Sequence, residues 1–132
     1  MYSAPSFAVP ESEESPSDPP AVEHVRCRHL LIKHNESRNP VSRRTNLPIT
    51  KTRAEAWREI HQLHRSLTTV NFASFAQKYS DCGSYQKGGD LGRFTRGMMQ
   101  RSFEDTAFRL EVGEISNVVE TDSGFHIIVR VE

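Results

Sequence analysis

Residues 82 to 103 hold the side chains most suited to chemistry. A cysteine, Cys82, opens the run. Gly88, Gly89, Gly92 and Gly97 break it, and Leu91, Met99 and Phe103 follow. This order suits a small apolar pocket with one polarisable group at its rim. No Lys-Ser/Thr follows the glycines and no GxGxxG occurs, so the run is not a phosphate cradle. A flat, weakly polar group such as a proline ring would fit such a pocket. Two histidines, His29 and His126, lie within apolar strand-like segments, Leu30-Leu31-Ile32 and Ile127-Ile128-Val129. Their rings should be largely buried. Two buried imidazoles can share one proton and hold a polar network near Cys82, Thr121 and Ser123. His29, His126 and Cys82 also match zinc ligands by type, but the fourth ligand is missing, and no metal or cofactor is expected. His61 and His64 flank a helical stripe without Cys or carboxylate partners at metal spacing, and read as boundary residues.

The elements that must position these groups follow from periodicity. Val25 to Lys33 alternates as a strand, with Val25, Cys27, His29, Leu31 and Lys33 on one side. His34 to Thr50 is polar, contains Pro40 and Pro48, and reads as a long surface loop. Thr52 with Glu55 makes a capping-box start for a helix, whose Trp57, Ile60, Leu63 and Leu67 form one stripe. Asn71 can cap a second helix with Phe72, Phe75, Ala76 and Tyr79 inward. A third helix is predicted from about Gln100 to Leu110, burying Phe103, Ala107 and Leu110, with Gly113 as its stop. Leu91 to Phe94, Ile115 to Glu120 and Phe125 to Val131 read as strands, the last two joined by the turn Thr121-Asp122-Ser123-Gly124. The order β-α-α-β-α-β-β implies an α+β fold, a small, mainly antiparallel sheet carrying packed helices.

Composition bounds the rest. The chain has 132 residues, room for one core. Residues 1–23 are acidic and rich in proline and serine, and are expected to be a disordered tail; residues 24–132 form the domain. The tail's Ser15-Pro16 step stands in an acidic context as a candidate phosphorylation site. The formal net charge of zero conceals an uneven spread. Residues 1–25 sum to −5 and residues 26–53 to +7, which favours an anionic partner. Residues 26–53 contain no Phe, Tyr or Trp, which counts against a single-stranded nucleic acid as that partner. The two cysteines, without a CxxC, read as reduced thiols. No apolar run is long enough for a membrane helix, and the N-terminus does not read as an export signal.

Five segments taken in order resemble a known family. They are Arg26-Cys27-Arg28-His29-Leu30-Leu31-Ile32-Lys33-His34, Tyr79-Ser80-Asp81-Cys82, Gly89-Asp90-Leu91-Gly92, Phe103-Glu104-Asp105 and Thr121-Asp122-Ser123-Gly124-Phe125-His126-Ile127-Ile128. The chain resembles the parvulins, which are peptidyl-prolyl cis/trans isomerases, over residues 24–132. The Arg-rich loop resembles the Pin-type branch, which prefers phosphorylated Ser/Thr before proline. Many members of that branch carry a WW domain. None is expected in this chain, because the tail is short and the only tryptophan, Trp57, lies on the first helix.

The resemblance implies a four-stranded antiparallel sheet with the active site on a face left open between helices. It implies that Leu91, Met99 and Phe103 hold the proline. It makes His29 and His126 the paired histidines and Cys82 the active-site cysteine. Covalent attack by Cys82 on the prolyl carbonyl is one role open to it; a non-covalent role is expected instead, because attack needs a strong base and an oxyanion hole and bond rotation needs neither. Thr121 and Ser123 join that network, and Ser123 and Gln100 contact the peptide backbone. Lys33 and Arg38 match positions that grip the phosphate. Asn39 departs from the pattern, since a second arginine is usual there, and Arg43 and Arg44 are expected to compensate by folding back. The implied partners are phosphorylated Ser/Thr-Pro proteins, the implied assembly a monomer, and the implied location cytoplasm or nucleus. The alternatives are a phosphopeptide-binding module with weak turnover and a basic nucleic-acid-binding domain.

Overall fold

A computed structural model of the chain describes residues 23–132. The acidic Pro/Ser-rich segment lies, apart from Glu23, outside the described residues. The elements are β1 (His24–Ile32), α1 (Arg53–Ser66), α2 (Phe72–Tyr79), a 3-10 turn (Gly83–Lys87), β2 (Asp90–Thr95), α3 (Arg101–Arg109), β3 (Val119–Thr121) and β4 (Gly124–Arg130). The strands form one sheet in the order β2-β1-β4-β3, with every neighbouring pair antiparallel.

Both faces of this sheet are covered, which explains why β1 and β4 are apolar on both sides. Leu30, Ile32, Phe125, Ile127 and Val129 pack against Ala56 and Ile60 of α1 and Phe72 of α2. On the other face, Val25, Cys27 and Ile128 pack with Phe94 of β2 and Phe103, Ala107 and Phe108 of α3. Strand alternation puts His29 and Leu31 on this second face too. The nine residues of α3 span only about 13 Å at 1.5 Å per residue. The helix therefore covers the Val25–Cys27 end of β1 and leaves the His29–Leu31 end open.

Local signals explain most element ends; three ends and the place of Trp57 differ from the sequence expectation. At α1, both halves of the Thr52–Glu55 capping box form. Trp57, however, does not join the buried stripe. It is 49% exposed, with its ring 4.1 Å from that of His61, and Ala56 takes the inward position. The stripe 56-60-63-67 follows i+3 and i+4 steps, and residue 57 lies off it by one 100° rotation. Asn71 stands at the N-cap of α2, but its side chain does not cap the helix. Its Oδ1 accepts from the Thr68 amide at 2.8 Å and its Nδ2 donates to the Ser66 carbonyl at 2.9 Å. Gly113 is not the stop of α3, which ends in extended backbone at Leu110. It sits in the following turn, φ 88°, donating to the Arg130 carbonyl. Ile115 makes only an isolated bridge to Val129, and β3 begins at Val119. The Ser116 hydroxyl accepts the Ile128 amide at 3.0 Å, so a side chain takes a ladder position that backbone would otherwise fill.

Candidate active site

The open end of β1 is built by substitutes for a neighbouring strand. β2 pairs with β1 as far as Arg28, and the His29 amide then donates to the Gly89 carbonyl at 2.9 Å. Beyond it, Ser80 Oγ accepts the Leu31 amide at 3.1 Å and Asp81 Oδ2 accepts the Lys33 amide at 3.0 Å. The Asp81 amide donates back to the Leu31 carbonyl. Cys82, the next residue, is thereby fixed beside His29.

His29, Leu31, Cys82, Leu91, Met99, Gln100, Phe103, Thr121, Ser123 and His126 line one apolar cavity of about 200 Å³. Nine of these were singled out in the sequence; Leu31 was not. Its position two residues after His29 on the same strand was the available signal.

The polar groups of the cavity form one chain. Thr121 Oγ1 lies 2.6 Å from His126 Nε2, and His126 Nδ1 lies 3.0 Å from His29 Nδ1. The Ser123 amide donates to Thr121 Oγ1 at 3.1 Å. Gln100 braces the β3–β4 turn from outside: its Nε2 donates to Ser123 Oγ at 3.2 Å and its Oε1 accepts the Asp122 amide at 3.1 Å. The Phe103 ring stands nearly perpendicular to both histidines, with ring centroids 5.5 and 5.2 Å away.

Burial first, and the neighbouring His29 second, hold His126 well below the usual histidine range, so it is neutral. Two proton arrangements satisfy a neutral His126. In one its proton sits on Nδ1 and goes to His29; in the other it sits on Nε2 and goes to Thr121 Oγ1. In the second, His29 donates through Nδ1. His29 Nε2 is buried with no hydrogen-bond partner among the described residues. Burial alone would raise the Cys82 thiol; His29, and then Ser84, overcome it and bring the thiol down to about 6. His29 is therefore the neighbour that most opposes the effect of burial on Cys82. Ser84, two residues into the 3-10 turn, was not foreseen, because nothing in the sequence marked that turn. Cys27 is the opposite case: burial pushes its thiol up to about 11.

The four cations expected near the site do not line the cavity. Lys33 is buried beneath the loop, and its Nζ donates to the carbonyls of Asn39 at 2.9 Å and Val41 at 2.8 Å. Arg44 turns toward the Ser80–Asp81 segment, with Nε donating to the Ser80 carbonyl at 3.2 Å and Nη2 3.9 Å from Asp81 Oδ1. Arg38 faces an adjoining polar cleft of about 300 Å³ with His34, Arg53, Glu120 and Asp122. Arg43 lies over Gly83, its guanidinium carbon 3.6 Å from where a Cβ would stand, and so beside Cys82. Among the described residues, the side chains of Arg38 and Arg43 make no ion pair, whereas Arg44 reaches Asp81.

One consequence is testable in acid. An unfolded His126 takes up a proton near pH 6.5, while the folded one stays neutral well below that. The unfolded state then binds more protons, so stability falls as pH drops below about 6.5. Between pH 6.5 and pH 5 this group can remove at most about 2 kcal/mol. His126→Gln, which has no titrating ring, should lose less between pH 7 and pH 5 in urea melts. Equal losses in both proteins would contradict a neutral, buried His126.

Comparison with known proteins gives a consistent result. A family model described as rotamase, PPIC-type PPIASE domain, matches residues 29–132. The chain is 52% identical over 110 residues to peptidyl-prolyl cis-trans isomerase ESS1 of Saccharomyces cerevisiae, a match covering 81% of this chain and 65% of that protein. It is 44% identical over 135 residues to peptidyl-prolyl cis-trans isomerase pin1 of Schizosaccharomyces pombe, covering 98% of this chain and 76% of that one. Among solved structures it is similar to peptidyl-prolyl isomerase ESS1 from Candida albicans, with TM-score 0.77 and 42% identity over 86% of this chain and 67% of that chain. It is also similar to the solution structure of TbPIN1, with TM-score 0.76 and 44% identity over 83% of this chain and 98% of that chain.

Proposed function

Because the chain belongs to the PPIC-type peptidyl-prolyl cis-trans isomerase family, among the Pin1/ESS1 enzymes, we propose that it acts on proline preceded by phosphorylated serine or threonine. The observation that carries this reading is an apolar cavity flanked by Arg38 and Arg43, two arginines without ion-pair partners among the described residues. A dianionic phosphate offers several acceptors, and a guanidinium can meet it bidentately. Asn39 supplies no charge of its own, and Arg43 takes up that part.

The chemistry asked of the site is rotation about one bond. Amide resonance stiffens the C–N bond and puts negative charge on the carbonyl oxygen, giving a barrier of about 18–20 kcal/mol. The two planar X-Pro forms differ by only about 0.5–1 kcal/mol. Catalysis therefore means binding the twisted amide better than either planar form. Leu91, Met99 and Phe103 take the proline ring, and their apolar surface withholds the water that stabilises the planar dipole. The Cys82 sulfur, anionic above about pH 6, repels the negative carbonyl oxygen of the planar forms. Twisting lessens that charge and eases the repulsion. His29, His126 and Thr121 hold the sulfur's proton balance without passing protons to substrate. Gln100 and Ser123 meet the peptide backbone.

The same reading gives partners of Ser/Thr-Pro type bearing phosphate, and a cytoplasmic or nuclear setting. Two free thiols support the latter, and no helix among the described residues is long and apolar enough to cross a membrane.

Isomerisation rates of matched pThr-Pro, Glu-Pro and Ala-Pro peptides test the proposal. The phosphorylated peptide should exceed Ala-Pro by at least about 100-fold in kcat/KM, with Glu-Pro between them. Equal rates on all three would leave an isomerase without phosphate preference.

A further inference from the structure

Ser15-Pro16 is the only Ser-Pro or Thr-Pro step in the chain. We propose that Ser15 is a phosphorylation site and that phosphorylated Ser15-Pro16 is a ligand of the chain's own cavity, with Pro16 against Leu91, Met99 and Phe103 and the phosphate at Arg38 and Arg43. This rests on the phosphate reading above. The modification itself moves a phosphoryl group from a nucleoside triphosphate to Ser15 Oγ, with release of the diphosphate and a proton, and requires a separate protein kinase.

The first argument is where the tail leaves the fold. His24 pairs with Thr95, and the Glu23 carboxylate lies 3.5 Å from Arg96 Nε. The chain therefore emerges beside the β2–α3 connection. Met98, 62% exposed, and Met99, a wall of the cavity, follow Arg96 within three residues. That separation is at most about 11 Å. Pro16 stands seven residues before Glu23 and reaches about 23–25 Å when extended, so it arrives at the Met99 wall with slack.

The second argument is polarity. The cations stand beyond the cavity as seen from the tail. Arg43 lies over Gly83, next to Cys82, and Lys33 tethers the loop just past the end of β1. Ile32 is about 26 Å along that strand from His24. A tail running back from Glu23 toward Met1 meets the cavity first with Pro16 and the cations next with Ser15. Ser15 reaches about 26–29 Å from Glu23. A Pro-Ser order would set the phosphate on the apolar wall. The third argument is charge: residues 1–25 carry −5 and residues 26–53 carry +7, and phosphate deepens the contrast.

A ligand tethered this closely has an effective concentration on the order of 1 mM, so it competes with substrate without changing the chemistry. Apparent KM for an added pSer-Pro peptide should rise about tenfold, with kcat unchanged.

The test uses the full chain carrying phosphoserine at position 15, the unphosphorylated chain and Ser15→Ala. Amide resonances of Arg43, Met99, Gln100 and Ser123 should shift in the phosphorylated chain alone, independently of protein concentration, with the tenfold rise in KM. Unmoved resonances and unchanged KM, while a synthetic phosphopeptide of residues 12–19 still titrates into the cavity, would overturn the inference and leave the phosphate reading intact. Failure of that peptide to shift the cavity or Arg43, or to be isomerised, would remove both. Shifts that grow with protein concentration would mean docking between molecules and overturn the intramolecular assignment.

Discussion

Replacing Arg38 and Arg43 together with alanine is expected to lower kcat/KM for a pSer-Pro peptide about 100-fold or more, and for an Ala-Pro peptide by less than about threefold. Each charge-assisted hydrogen bond to a phosphate contributes about 1.5–3 kcal/mol, so losing one from each arginine removes at least about 3 kcal/mol. The phosphate is bound equally in the planar and twisted forms, so the loss should appear mainly in KM. Both side chains make no ion pair among the described residues, and neither lines the apolar cavity, so the fold and the proline wall should be undisturbed. Lys33→Ala is the informative contrast. Its ammonium binds two loop carbonyls, so its removal should loosen the loop and depress all substrates together. Equal losses on phosphorylated and Ala-Pro peptides after the arginine substitutions would reject the phosphate role of this pair.

Gly89→Ala should cost more than about 4 kcal/mol, a large part of a domain's usual 5–15 kcal/mol. Gly89 has φ 83°, a conformation that costs an L-residue about 1–2 kcal/mol. Its added Cβ would also collide with the His29 carbonyl oxygen, which is backbone and cannot turn aside. Relief requires β1 and Gly89 to part, breaking the 2.9 Å bond from the His29 amide to the Gly89 carbonyl. Gly97→Ala is the control. Gly97 has φ 90°, but nothing lies within 4 Å of its added Cβ, so only the backbone cost of about 1–2 kcal/mol applies. Urea midpoints of the two variants measure the difference. If they coincide, the close approach of Gly89 to His29 is not what constrains this position.

The sequence revealed the strands, helices and cavity wherever periodicity or motif order was strong. Alternation in Val25–Lys33 predicted which side chains share a face, and the cavity and the α3 core lie on that face. The Thr52–Glu55 box predicted the start of α1, because a cap is a local hydrogen bond between near neighbours. What was not legible depended on distant partners. Trp57 is apolar by type, yet its place on the helix is exposed. The late start of β3 reflects one hydroxyl, Ser116, bonding twelve residues away. Charge alone could not separate Arg43 from Arg44. Their different surroundings arise because Arg44 finds the Ser80 carbonyl and Asp81, and Arg43 lies over Gly83.

The buried ammonium of Lys33 has a kinetic consequence. With Nζ holding the carbonyls of Asn39 and Val41, and Val41 bridged to Pro48, the loop surrenders its rotational freedom when the chain folds. Ordering a residue's backbone costs about 1–2 kcal/mol, and here that cost does not fall on the encounter with a ligand. An anion arriving at the loop meets a surface already set, so association should follow a single step whose rate rises in proportion to ligand concentration and falls with added salt.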